Sequence, residues 1–213
     1  MPSRGPADAA PSTAPRVAAI VLAAGGSTRL GRPKQLVEHA GETLVRRAAR
    51  AALGAGASPV LVVLGAHAAR VATALAGLAG VAVLRNAEWE TGLASSLAAG
   101  VRAALAEPDV DAVLVTLADQ PLVDDAAHAR LIAAYPGAHG VVASAYGDAL
   151  GVPALFARAH AESLTRLTGD AGAGAWLRRR GDAVTRVAMD AAALDVDTEA
   201  DVERLAARDA VRA

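Results

Sequence analysis

Short apolar runs alternating with stretches of helical periodicity restrict this chain to a narrow set of folds. Val17–Leu22, Val60–Leu64, Val81–Leu84, Ala112–Leu117 and Gly140–Ser144 consist almost entirely of aliphatic residues, as strands buried on both faces of a sheet do. Between them, Leu44, Ala48 and Ala52 with Val45 and Ala49 recur at helical spacing, with Thr43 at the N-cap position and Gly54 as a stop. Ala68–Ala76, Leu93–Ala104 and Asp124–Tyr135 read as further helices, the last ended by Pro136-Gly137 and capped by Asp124. Beyond Gly151 the alternation loosens. A helix around Ala157–Leu167, a glycine-rich turn at Gly169–Gly174, a strand at Val184–Val187 and a closing helix from Glu199 to Arg208 follow. The pattern predicts an α/β, Rossmann-like fold with a mostly parallel central sheet flanked by helices. Ligands of such sheets bind beyond the carboxyl ends of the strands. The loops starting at Ala23, Arg85 and Ala118 therefore carry the candidate site.

At 213 residues the chain accommodates one domain, expected over 16–213. A disordered leader is expected over 1–15, rich in proline and alanine and without the apolar segment of a signal peptide. The residues are 54% hydrophobic, yet only Trp 2, Tyr 2 and Phe 1 are aromatic, so the core must be built from small aliphatic side chains. A net charge of −1, from 21 basic and 22 acidic residues interspersed along the chain, leaves no basic stripe for nucleic acid. No apolar run approaches the ~20 residues that cross a bilayer. Cysteine is absent, which excludes a thiolate nucleophile, disulfides and cysteine-ligated metals. A cytoplasmic location fits these features. The histidines at 39, 67, 128, 139 and 160 show no metal-ligand spacing, and none is assigned to catalysis.

Scarce residues gather in the candidate loops. Lys34 is the only lysine among 21 basic residues, Asn86 is the only asparagine, and the only glutamines, Gln35 and Gln120, adjoin Lys34 and Asp119. A position that keeps lysine in so arginine-rich a chain needs a compact, strongly hydrated ammonium rather than a planar fork. Lys34 closes the stretch Leu22-Ala23-Ala24-Gly25-Gly26-Ser27-Thr28-Arg29-Leu30-Gly31-Arg32-Pro33-Lys34, whose glycines can bring backbone N–H groups against an anion. It is not a P-loop, because Arg32-Pro33 separates Gly31 from Lys34, and Gly25-Gly26-Ser27 breaks the dinucleotide fingerprint. Arg29 and Lys34, two cations across a Gly-Pro turn, suit a triphosphate.

The stretch Leu22–Leu36 closely resembles the signature L-A-A-G-x-S-x-R-[LM]-G-x-x-K of nucleotidyltransferases of the molybdenum-cofactor (MobA-like) family. Further blocks follow the family's cytidylyltransferase branch in order. They are Asn86-x-x-Trp89-x-x-Gly92-x-x-Ser95-Ser96, Leu117-Ala118-Asp119-Gln120-Pro121-Leu122, Gly151-Val152-Pro153, Leu167-Thr168-Gly169-Asp170-Ala171-Gly172 and Asp195-Val196-Asp197-Thr198. The resemblance implies a Mg²⁺-dependent transfer of CMP from CTP, or another nucleotide from its triphosphate, to a phosphorylated acceptor, best matched by molybdopterin cofactor. It assigns Arg29, Lys34 and Asp119 to catalysis. Leu22, Ala23, Ala24, Gly25, Gly26 and Ser27, with Asn86, Gly92, Ser95 and Ser96, would hold the nucleotide, Ser96 being the better base contact and Trp89 packing that loop. Ala24 matches cytidine-using enzymes, where the guanylyl branch has L-A-G-G.

Asp119 is implied as a metal ligand, and its position at a strand end among phosphates suits Mg²⁺. Asp195 and Asp197 share one face of an extended segment. Asp195 is favoured as the second ligand, and Asp197 could instead cap the last helix with Thr198. Gln120, Gly151 and Asp170 fall on the acceptor side. The chain departs from the branch at Gly174, where arginine often stands, and Arg178, Arg179 and Arg180 lie nearby. A molybdenum hydroxylase or its cofactor-inserting chaperone is the implied partner. Transfer to another phosphorylated small molecule, an NAD(P)H-dependent reductase of a nicotine-derived pigment, and a non-catalytic cofactor chaperone are the rival readings.

Overall fold

The computed structural model describes residues 14–212. The leader expected over 1–15 thus lies almost wholly outside the described residues. The strands, in chain order, are β1 (Val17–Ala23), the short pair β2 (Glu38–His39) and β3 (Glu42–Thr43), β4 (Val60–Leu64), β5 (Val81–Arg85), β6 (Ala112–Leu117), β7 (Val141–Tyr146), β8 (Ala149–Ala157) and β9 (Thr185–Ala188). The helices are α1 (Leu44–Gly54), α2 (Ala68–Ala74), α3 (Leu93–Leu105), α4 (Asp125–Ala133), α5 (Arg158–Leu164), α6 (Ala173–Arg180) and α7 (Glu199–Arg212).

The main sheet runs β5-β4-β1-β6-β8-β7-β9. Its pairs are parallel except on either side of β8, which is antiparallel to both β6 and β7. Every residue of β1 is buried, because successive side chains enter opposite layers. Val17, Ala19, Val21 and Ala23 pack with α1, α2 and α4, while Ala18, Ile20 and Leu22 pack with α3, α5 and α6. Small residues let these layers close up. A β-carbon on Gly100 of α3 would stand 2.6 Å from Ile20 Cγ2. Trp176 anchors α6, edge-on to Phe156 at 5.4 Å between centroids, with its indole N–H donating to Ser163 Oγ at 2.8 Å.

After β1 the chain builds outward through β4 and β5, then returns to the other side of β1 with β6. That reversal is the topological switch point, where open α/β sheets leave a crevice. Three local details differ from expectation. β8 was not anticipated, because Gly151 and Pro153 interrupt its pattern and its alanine-rich end reads equally well as helix. Thr43 precedes α1 but makes no side-chain cap, and its hydroxyl is buried without a partner. At α7 the cap is Thr198 with Asp201, whose Oδ2 accepts from the Thr198 N–H at 2.8 Å and hydroxyl at 2.7 Å, a capping box. Asp197 is thereby released from capping. Asp124 caps α4 as expected, accepting from the Ala127 N–H at 2.8 Å. Among the described residues, no helix is long and apolar enough to cross a membrane.

Candidate active site

The loop leaving β1 is held by its own polar side chains. Leu30 and Gly31 donate to the Ser27 carbonyl at 3.1 and 3.0 Å, and the Ser27 hydroxyl accepts from the Lys34 N–H at 3.0 Å. Gln35, only 1% exposed, donates to the carbonyls of Ala23 at 3.0 Å and Gly25 at 2.8 Å. These bonds fold the loop back so that Lys34, at the start of a single 3₁₀ turn (Lys34–Leu36), faces the end of β6.

There the Lys34 ammonium meets two carboxylates, Asp119 Oδ2 at 2.5 Å and Asp197 Oδ1 at 2.7 Å. The other oxygen of Asp197 accepts from Arg29 at 2.7 Å. The Val196 N–H donates to the Asp119 carbonyl at 2.9 Å, and Val196 packs with Val37, Leu44 and Leu205. The C-terminal carboxylate segment is therefore fixed to both β6 and the lysine loop. Burial alone would depress the Lys34 ammonium, but Asp119 and Asp197 together hold its pKa above the usual lysine value. The Lys34 hydrogen bond in turn draws Asp197 below the usual carboxylate range, against a smaller burial effect. Asp119 Oδ1 is buried and has no hydrogen-bond partner.

Asp195 makes no ion pair with Lys34, whose ammonium is held by Asp119 and Asp197. The protein packed around its carboxyl, and then the Asp119 charge, push Asp195 up to about 6, although the residue keeps an exposed edge. Of the two C-terminal carboxylates, Asp197 is the one that shares the Lys34 ammonium with Asp119. Among the described residues, no three acidic or histidine side chains converge as a ready-made metal cage.

On the opposite wall, the Asn86 amide donates to Ser95 Oγ at 2.8 Å and Ser96 Oγ at 2.9 Å. Ser95 turns its hydroxyl onto the carbonyls of Glu88 and Gly92, whereas Ser96 lines the crevice. Asn86 and Ser95 therefore shape the loop and Ser96 faces the cleft. Gly92 has φ 114 and ψ 171, a conformation essentially confined to glycine. A β-carbon there would overlap the Gly169 carbonyl, to which the Ala94 N–H donates at 2.9 Å. The loop of Asp170 is pressed against the start of α3 in this way.

The result is a cleft of about 410 Å³ at the carboxyl ends of β1 and β6. Leu22, Ala23, Ala24, Gly25, Lys34, Gly92, Ser96, Asp119 and Asp170, all expected in the site, line it. Trp89, Glu90, Leu93, Leu117, Ala118 and Gln35 also line it, although the sequence assigned them no contact with ligand. The scarcity of glutamine marked Gln35 and the N-x-x-W block marked Trp89, but nothing in the sequence distinguishes Glu90 or Leu93. Gly26, Ser27 and Arg29 border this cleft through the loop rather than lining it.

Two residues expected on the acceptor side, Gln120 and Gly151, are not among those lining this cleft. Gln120 is buried, and its amide is spent on the carbonyls of Val152 at 3.1 Å and Ala192 at 2.9 Å. It staples β8 and the C-terminal segment beside Asp119. Gly151 is bare because Tyr146 lies across it, where any β-carbon would overlap the phenol.

The family model described as MobA-like NTP transferase domain matches residues 19–184. The chain belongs to the MobA-like nucleotidyltransferases. It is 36% identical to Rv0371c of Mycobacterium tuberculosis, with a TM-score of 0.74 over 91% of this chain and 98% of that one. A structure of Rv0371c in complex with manganese is 32% identical, with a TM-score of 0.67 over 91% of this chain and 98% of that one. A nucleotidyl transferase from Methanothermobacter is 25% identical, with a TM-score of 0.78 over 93% and 99% of the respective chains. Nicotine blue oxidoreductase of Paenarthrobacter nicotinovorans is 34% identical over 203 residues, 90% of this chain and 97% of that protein.

In this MobA-like chain the donor set fits a hard divalent cation. Asp119 and Asp197 offer carboxylate oxygens, one of them buried without a partner, and the adjoining cleft has room for phosphate oxygens and water. Mg²⁺ and Mn²⁺ are commonly held by one or two carboxylates and completed by water and substrate phosphates.

Proposed function

We propose that this MobA-like nucleotidyltransferase transfers CMP from CTP to the phosphate of molybdopterin cofactor and releases pyrophosphate. The observation that carries the reading is the meeting of Arg29, Lys34, Asp119 and Asp197 at one end of a largely apolar cleft. The glycine loop and Ser96 would hold the nucleotide, the base lying against Ala24, Trp89 and Leu93. The acceptor phosphate attacks the α-phosphorus in line, a new P–O bond forming as the bond to the β-phosphate oxygen breaks. A phosphate nucleophile is ionised near neutral pH, so no general base is needed, which agrees with the absence of a nucleophile–histidine pair in the cleft. The chain's own work is positioning and charge neutralisation. Arg29 and Lys34 offset charge at the α-phosphoryl group and on the departing pyrophosphate. A divalent cation, Mg²⁺ in this reading, held by Asp119 and Asp197 when bound, supplies further neutralisation of the phosphates.

Arg178 is the member of the arginine run suited to the acceptor phosphate. It lies close enough to the Tyr146 phenol, beside Asp195, to act on it electrostatically. Arg180 instead stacks on Trp176 at 4.7 Å from the ring centroid. The product would pass to a molybdenum hydroxylase or its inserting chaperone. A second reading, reduction of a pigment by NAD(P)H, is favoured by one observation, the near full-length similarity to nicotine blue oxidoreductase.

Thermal denaturation with ligands separates the two. A ligand at a hundred times its Kd stabilises by ~2.7 kcal/mol, a shift of roughly 5–10 °C for a chain of this size. CTP with Mg²⁺ should give such a shift and GTP a smaller one. A shift with NADPH alone would favour the reductase.

A further inference from the structure

Three of the four oxygens on Asp119 and Asp197 are already engaged by cations of the chain. Asp119 Oδ2 and Asp197 Oδ1 share the Lys34 ammonium at 2.5 and 2.7 Å, and Asp197 Oδ2 holds Arg29 at 2.7 Å. The remaining oxygen, Asp119 Oδ1, is buried and unpartnered. A divalent ion approaching the Asp119–Asp197 pair of the nucleotide-free site therefore meets one unpaired carboxylate oxygen and an ammonium directly beside it. Two cations within a few ångströms repel strongly, and the half-buried setting screens them poorly, the Lys34 and Asp119 side chains being 20% and 13% exposed.

We infer that Lys34 is the site's resident counter-ion: its ammonium fills the place between Asp119 and Asp197 until a nucleotide's phosphates draw it away and admit the metal. The inference rests on the transferase reading and adds an order to it, in which metal binds with or after the nucleotide. The geometry allows the transfer. Lys34 lines the same cleft that would hold the phosphates, its backbone is fixed by Ser27, and only its flexible four-carbon stem need turn. An ammonium is a point charge that can serve a carboxylate pair or a phosphate with equal ease, whereas a guanidinium is bound to its planar fork. This gives a physical reason for the one position where an arginine-rich chain retains lysine. Metal and nucleotide are then coupled, each raising the other's affinity by the same factor.

The test is a Mn²⁺ titration followed by loss of the free-ion electron paramagnetic resonance signal. Without nucleotide, Lys34→Gln should bind Mn²⁺ roughly tenfold more tightly than wild type, the scale of ordinary two-site coupling. Adding Asp119→Asn to that variant should abolish the gain. In wild type, CTP should tighten Mn²⁺ binding. Equal Mn²⁺ affinity of nucleotide-free wild type and Lys34→Gln, with CTP still drawing Mn²⁺ into wild type, would overturn the counter-ion role and leave the transferase reading standing. Failure of wild type to take up Mn²⁺ even with CTP would remove the metal site and the inference together. A second measurement needs no variant. Because Lys34 is the sole lysine, selectively labelled lysine gives a single side-chain NMR signal. That signal should move when Mg²⁺ and CTP bind, and saturable Mg²⁺ binding to nucleotide-free protein with the signal unmoved would contradict the displacement.

Discussion

Replacing Gly92 by alanine tests how the two walls of the cleft are joined. The backbone there, φ 114 and ψ 171, lies where only glycine is at ease, and strain of this kind costs about 1–3 kcal/mol. The added methyl would also overlap the Gly169 carbonyl and come within 2.9 Å of the Asp170 N–H nitrogen. These are backbone atoms, so no side chain can rotate to relieve the contact. Separating them would break the Ala94 N–H bond to Gly169, a further ~1 kcal/mol. The sum, roughly 2–4 kcal/mol, corresponds to a fall in Tm of roughly 5–15 °C. Gly147→Ala is the control. Gly147 has φ 56 with open space around it, so alanine there costs only the ~1–2 kcal/mol of the left-handed conformation. Calorimetry on the two variants gives the comparison, and nucleotide-induced stabilisation should be lost only in Gly92→Ala. If Gly92→Ala is no less stable than Gly147→Ala, the contact between the 86–96 and 168–172 loops does not hold the cleft together.

Further outcomes follow from the same geometry. Lys34→Arg should lower turnover by roughly tenfold, equivalent to ~1.4 kcal/mol in the barrier, because the larger guanidinium with its fixed donor directions does not fit the place of a compact ammonium; near-wild-type kinetics would count against a fitted point charge. Asp197→Asn should depress kcat/KM by roughly tenfold or more and Asp195→Asn distinctly less, so a larger loss in Asp195→Asn would return the metal role to Asp195. His128 is fully buried with Nε2 at 3.2 Å from Thr116 Oγ1, and burial lowers its pKa. The unfolded chain then takes up a proton near pH ~6.5 while the folded one resists. His128 thus contributes stability fully present above that pH and lost as pH falls toward the folded value. Urea denaturation from pH 7.5 to 5 should show this slope in wild type and a flatter one in His128→Leu; identical slopes would remove His128 as the cause.

The sheet was legible where both faces of a strand are buried, since β1 and β4 appear in the sequence as unbroken apolar runs and β6 as one broken only by Thr116. β8 was not, because alanine-rich segments carry no distinct strand or helix signal and Pro153 argues against an inner strand. α6 was hidden by Gly172 and Gly174 at its start. Within the site, the sequence placed the β1 loop and Asp119 only at carboxyl ends of strands; their meeting follows from the pairing of β1 with β6, which the structure supplies. The choice between Asp195 and Asp197 does not, because both share one face of the segment and only the reach of Lys34 separates them. The serines divide for a similar reason. Ser95 is taken by the Glu88 and Gly92 carbonyls, contacts made by a loop whose closure the sequence does not encode locally. Gln35 and Gln120 were conspicuous by rarity, but their work as buried staples became visible only with the carbonyls they bind.

Pyrophosphate release, measured with each of the four nucleoside triphosphates and Mg²⁺, with and without purified molybdopterin cofactor, tests the proposed activity most directly. The account predicts release with CTP above the other nucleotides, only when the acceptor is present, and lost in a folded Asp119→Asn protein. Absence of release under every condition, with NADPH-dependent reduction of a nicotine-derived pigment in its place, would contradict it.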